Sequence, residues 1–113
     1  MAIFYDVFEP GEKPAAFARL LELIDDFDGH MDTGILGARV IFHVLSAFDR
    51  ADLAYEMITR PDYPSYGNWI ARGATSLWED FHPEGTPVNS LNHHFFGDIS
   101  SWFIQSLTGI VLN

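Results

Sequence analysis

The first long stripe of apolar residues along the chain has the spacing of a helix. Its members occupy positions i, i+3, i+4, i+7 and i+10, which lie on one helical face. They are Phe17, Leu20, Leu21, Ile24 and Phe27. Pro14 precedes the stripe and suits the first turn of a helix, where its missing N–H costs nothing. The pattern predicts an amphipathic helix that begins near Pro14 and is ended by residues 28–30.

Ahead of this helix, Ile3, Phe4 and Val7 already stand at helical spacing, yet no capping residue precedes them. Residues 1–8 are therefore predicted to be the last turns of a helix whose beginning is missing. Residues 9–13, which contain a Pro-Gly pair, then break the pattern.

A second apolar stretch covers residues 35–48 on nearly all sides, which predicts a helix buried on more than one face. Thr33 is the predicted N-cap of this helix, since threonine hydroxyls accept hydrogen bonds from the first free amides. Asp49 is predicted to cap a third helix. The inward residues of that helix should be Leu53, Ala54, Met57 and Ile58.

Prolines and glycines divide the second half of the chain. Two prolines make residues 60–65 a loop. Ser65 can cap a short helix that Gly73 ends, and residues 80–97 form a long irregular connection of the kind that is often functional. Asp98 can cap a last helix, which should bury Ile99, Trp102, Phe103 and Leu107. No strand of useful length is predicted, so the expected fold is all-α, built from antiparallel helix hairpins.

Composition narrows the classes of partner. The chain has 113 residues, is 48% hydrophobic, and carries a net charge of −10 from 16 acidic and 6 basic side chains. Residues 1–113 are one domain's worth or less, and they can bury a real core. Scattered cations argue against a nucleic-acid surface and an anionic membrane face. Neutral, hydroxyl-rich ligands such as sugars are not repelled by the negative charge of the chain.

Cysteine is absent, so no disulfide or thiolate metal site is expected. The first residues lack the basic start and apolar run of a signal peptide. No segment is long and apolar enough to span a bilayer. These features weakly favour a cytoplasmic location.

The most informative segments are residues 73–79 and 89–93. They place the carboxylate of Glu79 beside the indole of Trp78, and bring Asn92 and His93 back after a turn-rich loop. A site that holds a sugar and activates water needs an acid or base, an aromatic wall and polar donors. The alternative without a function is a surface glutamate next to a core tryptophan. The dipeptide alone favours this alternative.

The two adjacent histidines, His93 and His94, should point apart, so that one faces the site and the other packs or orders the loop. Residues 62–66 and Trp69 offer aromatic faces on which a sugar could stack. The alternative is a rigid loop with core aromatics, which is the reading favoured for Trp69 alone.

Two further groups of polar residues receive a structural interpretation. His30, Asp32 and Thr33 could reach a site or could cap a helix, and capping is favoured. Glu79 and His82 form a Glu-x-x-His pair, which is half of a di-iron motif, but no second copy exists. No metal and no cofactor are therefore expected.

The chain resembles the C-terminal half of the catalytic domain of bacterial α-L-rhamnosidases, which are inverting glycoside hydrolases with a six-hairpin α/α toroid. Five stretches occur in the order of that family, followed by Gly97 and the helix of residues 102–110. These stretches are residues 28–37, 50–55, 62–67, 73–79 and 89–93.

The resemblance implies that Glu79 is the general base and that His93 contacts the substrate. The predicted substrate-binding set is His93, Trp78, Asn92 and Tyr66, and the ligand is a rhamnose-containing glycan or glycoside. In an inverting reaction the base takes a proton from water while a second carboxylic acid protonates the leaving oxygen. Asp80 and Phe81 stand where the family commonly has Arg and Trp.

No residue of this sequence matches the acid motif of the family, which lies in the N-terminal half. The chain is therefore expected to be part of an active site and inactive alone, in need of a missing N-terminal half. The alternative hypothesis is a non-catalytic carbohydrate-binding or self-associating helical module, possible as a homo-oligomer.

Overall fold

Five α-helices follow one another in this computed structural model, which describes residues 1–9, 11–87 and 89–111. They are α1 (Lys13–Asp26), α2 (Ile35–Ala47), α3 (Ala51–Thr59), α4 (Tyr66–Ala71) and α5 (Ile99–Trp102), and a π-helical turn, Phe103–Leu107, continues α5. These three ranges contain no strand, so the all-α prediction is confirmed. None of the helices is long and apolar enough to cross a membrane.

The predicted stripe of α1 lies against the core. Pro14 is in its first turn, and Phe17 and Ile24 are buried. Phe27 was predicted to be the last residue of the buried face. It instead lies just after the helix and is 48% exposed. The chain reverses there because Asp28 adopts a left-handed conformation (φ 55°).

Residues 1–8 form turns rather than the end of a helix, so that prediction was wrong. The amide of Tyr5 donates to the Met1 carbonyl at 3.1 Å, and that of Val7 donates to Ala2 at 3.1 Å. The left-handed conformation of Asp6 (φ 56°) prevents a helix from continuing through this segment.

The predicted caps of α2 and α3 were each placed one residue too early. Gly34, in extended conformation, is the N-cap of α2, and Arg50 is the N-cap of α3. The Thr33 hydroxyl oxygen is buried and has no hydrogen-bond partner among the described residues. Asp49 is left-handed (φ 58°), which turns the chain between two helices that pack together. Neither N-cap residue makes a side-chain capping hydrogen bond.

The cap of α4 is confirmed. The Ser65 hydroxyl accepts a hydrogen bond from the Asn68 amide at 2.8 Å and is fully buried. Gly67, in the first turn of α4, lies against the backbone of the last residue of α3 and of Arg60. Gly73 follows α4 in a left-handed conformation (φ 85°), as its predicted role requires.

The last helix is shorter than expected. Ile99 and Trp102 are buried as predicted, and the Trp102 indole N–H donates to the Ser46 hydroxyl at 2.8 Å. Phe103 and Leu107, at 36% and 45% exposure, are not buried, because α5 ends after four residues and the π-helical turn changes the spacing. The Asp98 carboxylate bonds His43 Nε2 at 3.2 Å and caps no amide.

Candidate active site

A cleft of about 650 Å³ opens between three parts of the chain that are distant in sequence. One wall is the α1–α2 loop, another is the loop between α3 and α4, and the third is the segment that follows Trp78. The lining residues are Phe27, residues 30–35, Tyr63, Pro64, residues 79–81 and Phe96. Of the predicted site residues, Glu79 reaches this cleft.

Glu79 is held by a pairing of two loop segments. Its amide donates to the Ser90 carbonyl at 2.9 Å, and the Ser90 amide donates to Glu79 Oε2 at 3.0 Å. The same two segments are joined again where the His93 amide donates to the Leu77 carbonyl at 2.8 Å. One oxygen of the carboxylate is therefore held by the loop, in a residue that lines the cleft.

Trp78 lies in the core and does not line the cleft. It is 7% exposed, its indole stacks on the His82 ring with centroids 5.2 Å apart, and the Arg72 guanidinium lies 5.0 Å from the indole centroid. Trp78 is therefore packed into the core, whereas the next residue, Glu79, lines the cleft. The aromatic wall of the cleft consists instead of Phe27, Tyr63, Phe81 and Phe96.

His93 and His94 do not point apart, so that expectation was wrong. Their rings stack with centroids 5.1 Å apart and an interplanar angle of 8°. His93 Nδ1 accepts a hydrogen bond from the Phe95 amide at 3.2 Å. Asn92 is exposed, and its amide donates to the Ser90 hydroxyl at 3.2 Å. None of these residues is part of the cleft lining.

Tyr66 is 7% exposed and donates its hydroxyl to the Phe96 carbonyl at 3.1 Å. Burial raises the pKa of this phenol. Trp69 is also buried, and its indole stacks on Phe81 with centroids 4.4 Å apart. The predicted sugar platform is thus mostly core, and only Tyr63 and Pro64 of residues 62–66 reach the cleft.

Sequence reasoning undervalued His30, Asp32 and Thr33, which all line the cleft rather than cap a helix. His30 lies between two acceptors, with Nε2 2.9 Å from Asp62 Oδ2 and Nδ1 3.1 Å from the Phe27 carbonyl oxygen. All three residues lie in residues 28–37, one of the stretches that resemble the rhamnosidase family, and this position could have indicated a site role.

The His30–Asp62 contact joins the α1–α2 loop to the α3–α4 loop, and Arg60 joins the same two loops a second time. Arg60 Nε and a terminal nitrogen donate to the two Asp62 oxygens at 3.1 and 3.2 Å, and the other terminal nitrogen donates to the Asp28 carbonyl at 3.0 Å. Arg60, followed by His30, holds the pKa of Asp62 at about 2, below its ordinary value. Two walls of the cleft are thereby joined by a charged network.

His82 is occupied by protein partners on both ring nitrogens. Nδ1 lies 3.0 Å from Asp80 Oδ1, and Nε2 lies 3.1 Å from an Arg72 guanidinium nitrogen. In the part of the chain that the structure describes, no group of three or more histidine or acidic side chains could hold a metal ion.

Two solved structures share the fold of this chain. α-L-Rhamnosidase from Dictyoglumus thermophilum superimposes with a TM-score of 0.83 at 35% identity, over 92% of this chain and 12% of that protein. The Streptomyces avermitilis α-L-rhamnosidase complexed with L-rhamnose gives a TM-score of 0.86 at 28% identity, over 97% of this chain and 11% of that protein. The fold of the chain is that of part of an α/α-toroid glycosidase domain.

The family model of the bacterial α-L-rhamnosidase six-hairpin glycosidase domain matches residues 1–107, and the chain belongs to this family. A curated α-L-rhamnosidase from Alteromonas sp. (strain LOR) is 35% identical over 119 residues, which is 97% of this chain. The chain spans 13% of the length of that relative. The resemblance and the α/α-toroid fold expected from the sequence are confirmed.

Proposed function

We propose that this chain supplies the general-base side of an inverting α-L-rhamnosidase site, with Glu79 as the base. The observation that carries the proposal is the placement of Glu79 at the cleft edge with one oxygen held by the Ser90 amide. A base must be fixed in this way to take a proton from water as the water attacks the anomeric carbon. Family membership makes this cleft the candidate sugar site.

The proposed substrate is a rhamnose-containing glycan or glycoside. The related Streptomyces avermitilis enzyme was solved with L-rhamnose. In the chain itself, aromatic rings of Phe27, Tyr63 and Phe81 face a cleft that also holds Asp32 and Asp80. Such a mixture suits a neutral ligand that presents C–H faces to rings and hydroxyls to carboxylates. His93, Asn92, Trp78 and Tyr66 remain predicted contacts, from outside the cleft lining.

The second carboxylic acid of the inverting pair is assigned to another segment of the toroid, because no residue of this sequence matches the acid motif. The isolated 113-residue chain is therefore expected to show no turnover of an aryl α-L-rhamnoside. It should still bind L-rhamnose, and NMR titration should shift signals of Glu79, Asp32 and Tyr63. Robust cleavage by the purified chain would refute the expected inactivity.

The role of Glu79 can be tested in a chimera in which this chain replaces the matching segment of the Alteromonas enzyme. Glu79→Gln should lower kcat by at least about 100-fold, which is the lower range for losing a general base. Glu84→Gln is the matched control, since Glu84 is exposed and does not line the cleft. Equal activity of both variants would show that Glu79 is not the base.

A second candidate function is self-association, or docking on a missing N-terminal half. Several large apolar side chains are more than half exposed, among them Val7, Leu36, Ile70 and Ile110. Exposed apolar surface of this kind marks interfaces when it is contiguous. Light scattering over a wide concentration range tests this proposal, and a monomer at high concentration would contradict the homo-oligomer.

A further inference from the structure

We propose that Asp80 is a positioning residue for Glu79 and acts through Asn89 and Ser90. The inference rests on the proposed role of Glu79 as the base. Asp80 follows Glu79 directly and also lines the cleft. Its two carboxylate oxygens bind two different parts of the chain, one buried and one in the loop that holds Glu79.

The buried partner of Asp80 is His82, which is 5% exposed. Arg72 donates to the His82 carbonyl at 2.7 Å, and its other terminal nitrogen lies 3.1 Å from His82 Nε2. A guanidinium only donates, so Nε2 accepts and Nδ1 carries the proton. The Nδ1–H group then donates to Asp80 Oδ1 at 3.0 Å. The ring stacks on Trp78, so this side of Asp80 is anchored to the core.

The loop partner of Asp80 is Asn89, whose side-chain amide donates to Oδ2. The next residue, Ser90, donates its amide to Glu79 Oε2 at 3.0 Å and accepts from the Glu79 amide at 2.9 Å. The contacts thus form a closed path from Glu79 through Asp80, Asn89 and Ser90 back to the Glu79 carboxylate. Asp80 holds Asn89, and the neighbouring residue Ser90 holds the Glu79 carboxylate.

At position 80 the carboxylate accepts from two donors, one on each oxygen. Asp80→Ala removes both acceptors, and Asn89→Asp sets two carboxylates against each other. Asp80→Asn is milder, because the new amide can accept from His82 and donate to the Asn89 side-chain oxygen once that amide turns over. Exchanging both residues, in Asp80→Asn/Asn89→Asp, restores complementary groups: the new amide accepts from His82 and donates to the new carboxylate.

Hydrogen exchange of the Ser90 amide, followed by NMR in the full chain, tests the proposal. Asp80→Ala and Asn89→Asp alone should each speed Ser90 exchange roughly threefold to tenfold, which is the range for losing one hydrogen bond. The double exchange should restore the parental rate. Leu45 and Met57, both 0% exposed, report global stability, and Glu84→Gln is the control for charge.

Unchanged Ser90 exchange in both single variants would overturn the proposal. So would equal acceleration of Ser90, Leu45 and Met57, because that result describes a purely structural role. Failure of the double exchange to restore Ser90 protection would also contradict it. The experiment measures a hydrogen bond and not turnover. Its failure can therefore be told apart from a failure of Glu79 to act as the base in the chimera.

Discussion

Gly67→Ala should destabilise the chain strongly, because α4 touches the end of α3 at this residue. A methyl group at Gly67 would lie 2.5 Å from the Thr59 carbonyl oxygen and 2.7 Å from the Thr59 carbonyl carbon, and closer still to the Arg60 carbonyl oxygen. Ordinary contact begins near 3.4 Å. The obstructing atoms are backbone, so no side chain can rotate away, and the two helices must separate.

The cost can be estimated from two opposing effects. Overpacking of a filled site costs about 1–3 kcal/mol, and a backbone obstruction puts Gly67 at the upper end. Replacing glycine by alanine also restricts the unfolded chain, which returns about 0.4–1 kcal/mol. The net loss is therefore about 2 kcal/mol. With a urea m-value of about 1–2 kcal/mol/M, the denaturation midpoint should fall by about 1–2 M.

Urea denaturation followed by tryptophan fluorescence measures the effect. Gly34→Ala is the matched control, since a methyl group there meets nothing within 4 Å and the backbone is extended. The free energy of unfolding of that variant should stay within about 1 kcal/mol of the parent value. Loss of the glycine N-cap destabilises the helix, whereas alanine restricts the unfolded chain and so stabilises the folded one. Equal midpoints for Gly67→Ala and the parent would refute the close approach of α3 and α4.

Three further predictions concern buried and charged groups. Tyr66→Phe should cost about 1–2 kcal/mol in thermal unfolding, since it leaves the buried Phe96 carbonyl without its donor; loss of rhamnose binding without loss of stability would instead make Tyr66 a ligand contact. Asp62 has a folded pKa of about 2, against 3.8 ordinarily, chiefly through Arg60. The ionised Asp62 carboxylate therefore stabilises the folded chain at pH values above about 4, and this stabilisation is lost as the pH falls from about 4 to 2. The urea midpoints of Asp62→Asn and the parent should converge over that pH range. Trp102→Ala removes a 0% exposed indole and should cost about 3–5 kcal/mol by calorimetry, and a loss under about 1 kcal/mol would contradict the packing of α5.

The candidate site was only partly predictable. Glu79 was found because a resemblance to rhamnosidases singled out the segment that contains it, and its place at the cleft agrees with that selection. Trp78 was expected beside the sugar but lies in the core, where its indole packs against Trp69 and His82. His30 and Asp32 were assigned to capping, although both line the cleft.

The sequence by itself determined the first three helices and most of their inward faces. Apolar spacing identified α1 to α3 with Phe17, Ile24 and Met57 inside, because the period of apolar residues is a local property of the chain. The tertiary structure decided where α2 and α3 begin, and it placed the left-handed residue Asp49 directly before α3. It also decided that the loops after α1 and α3 meet the segment after Trp78 around one cleft. Such a meeting depends on how distant segments pack, which no local pattern records.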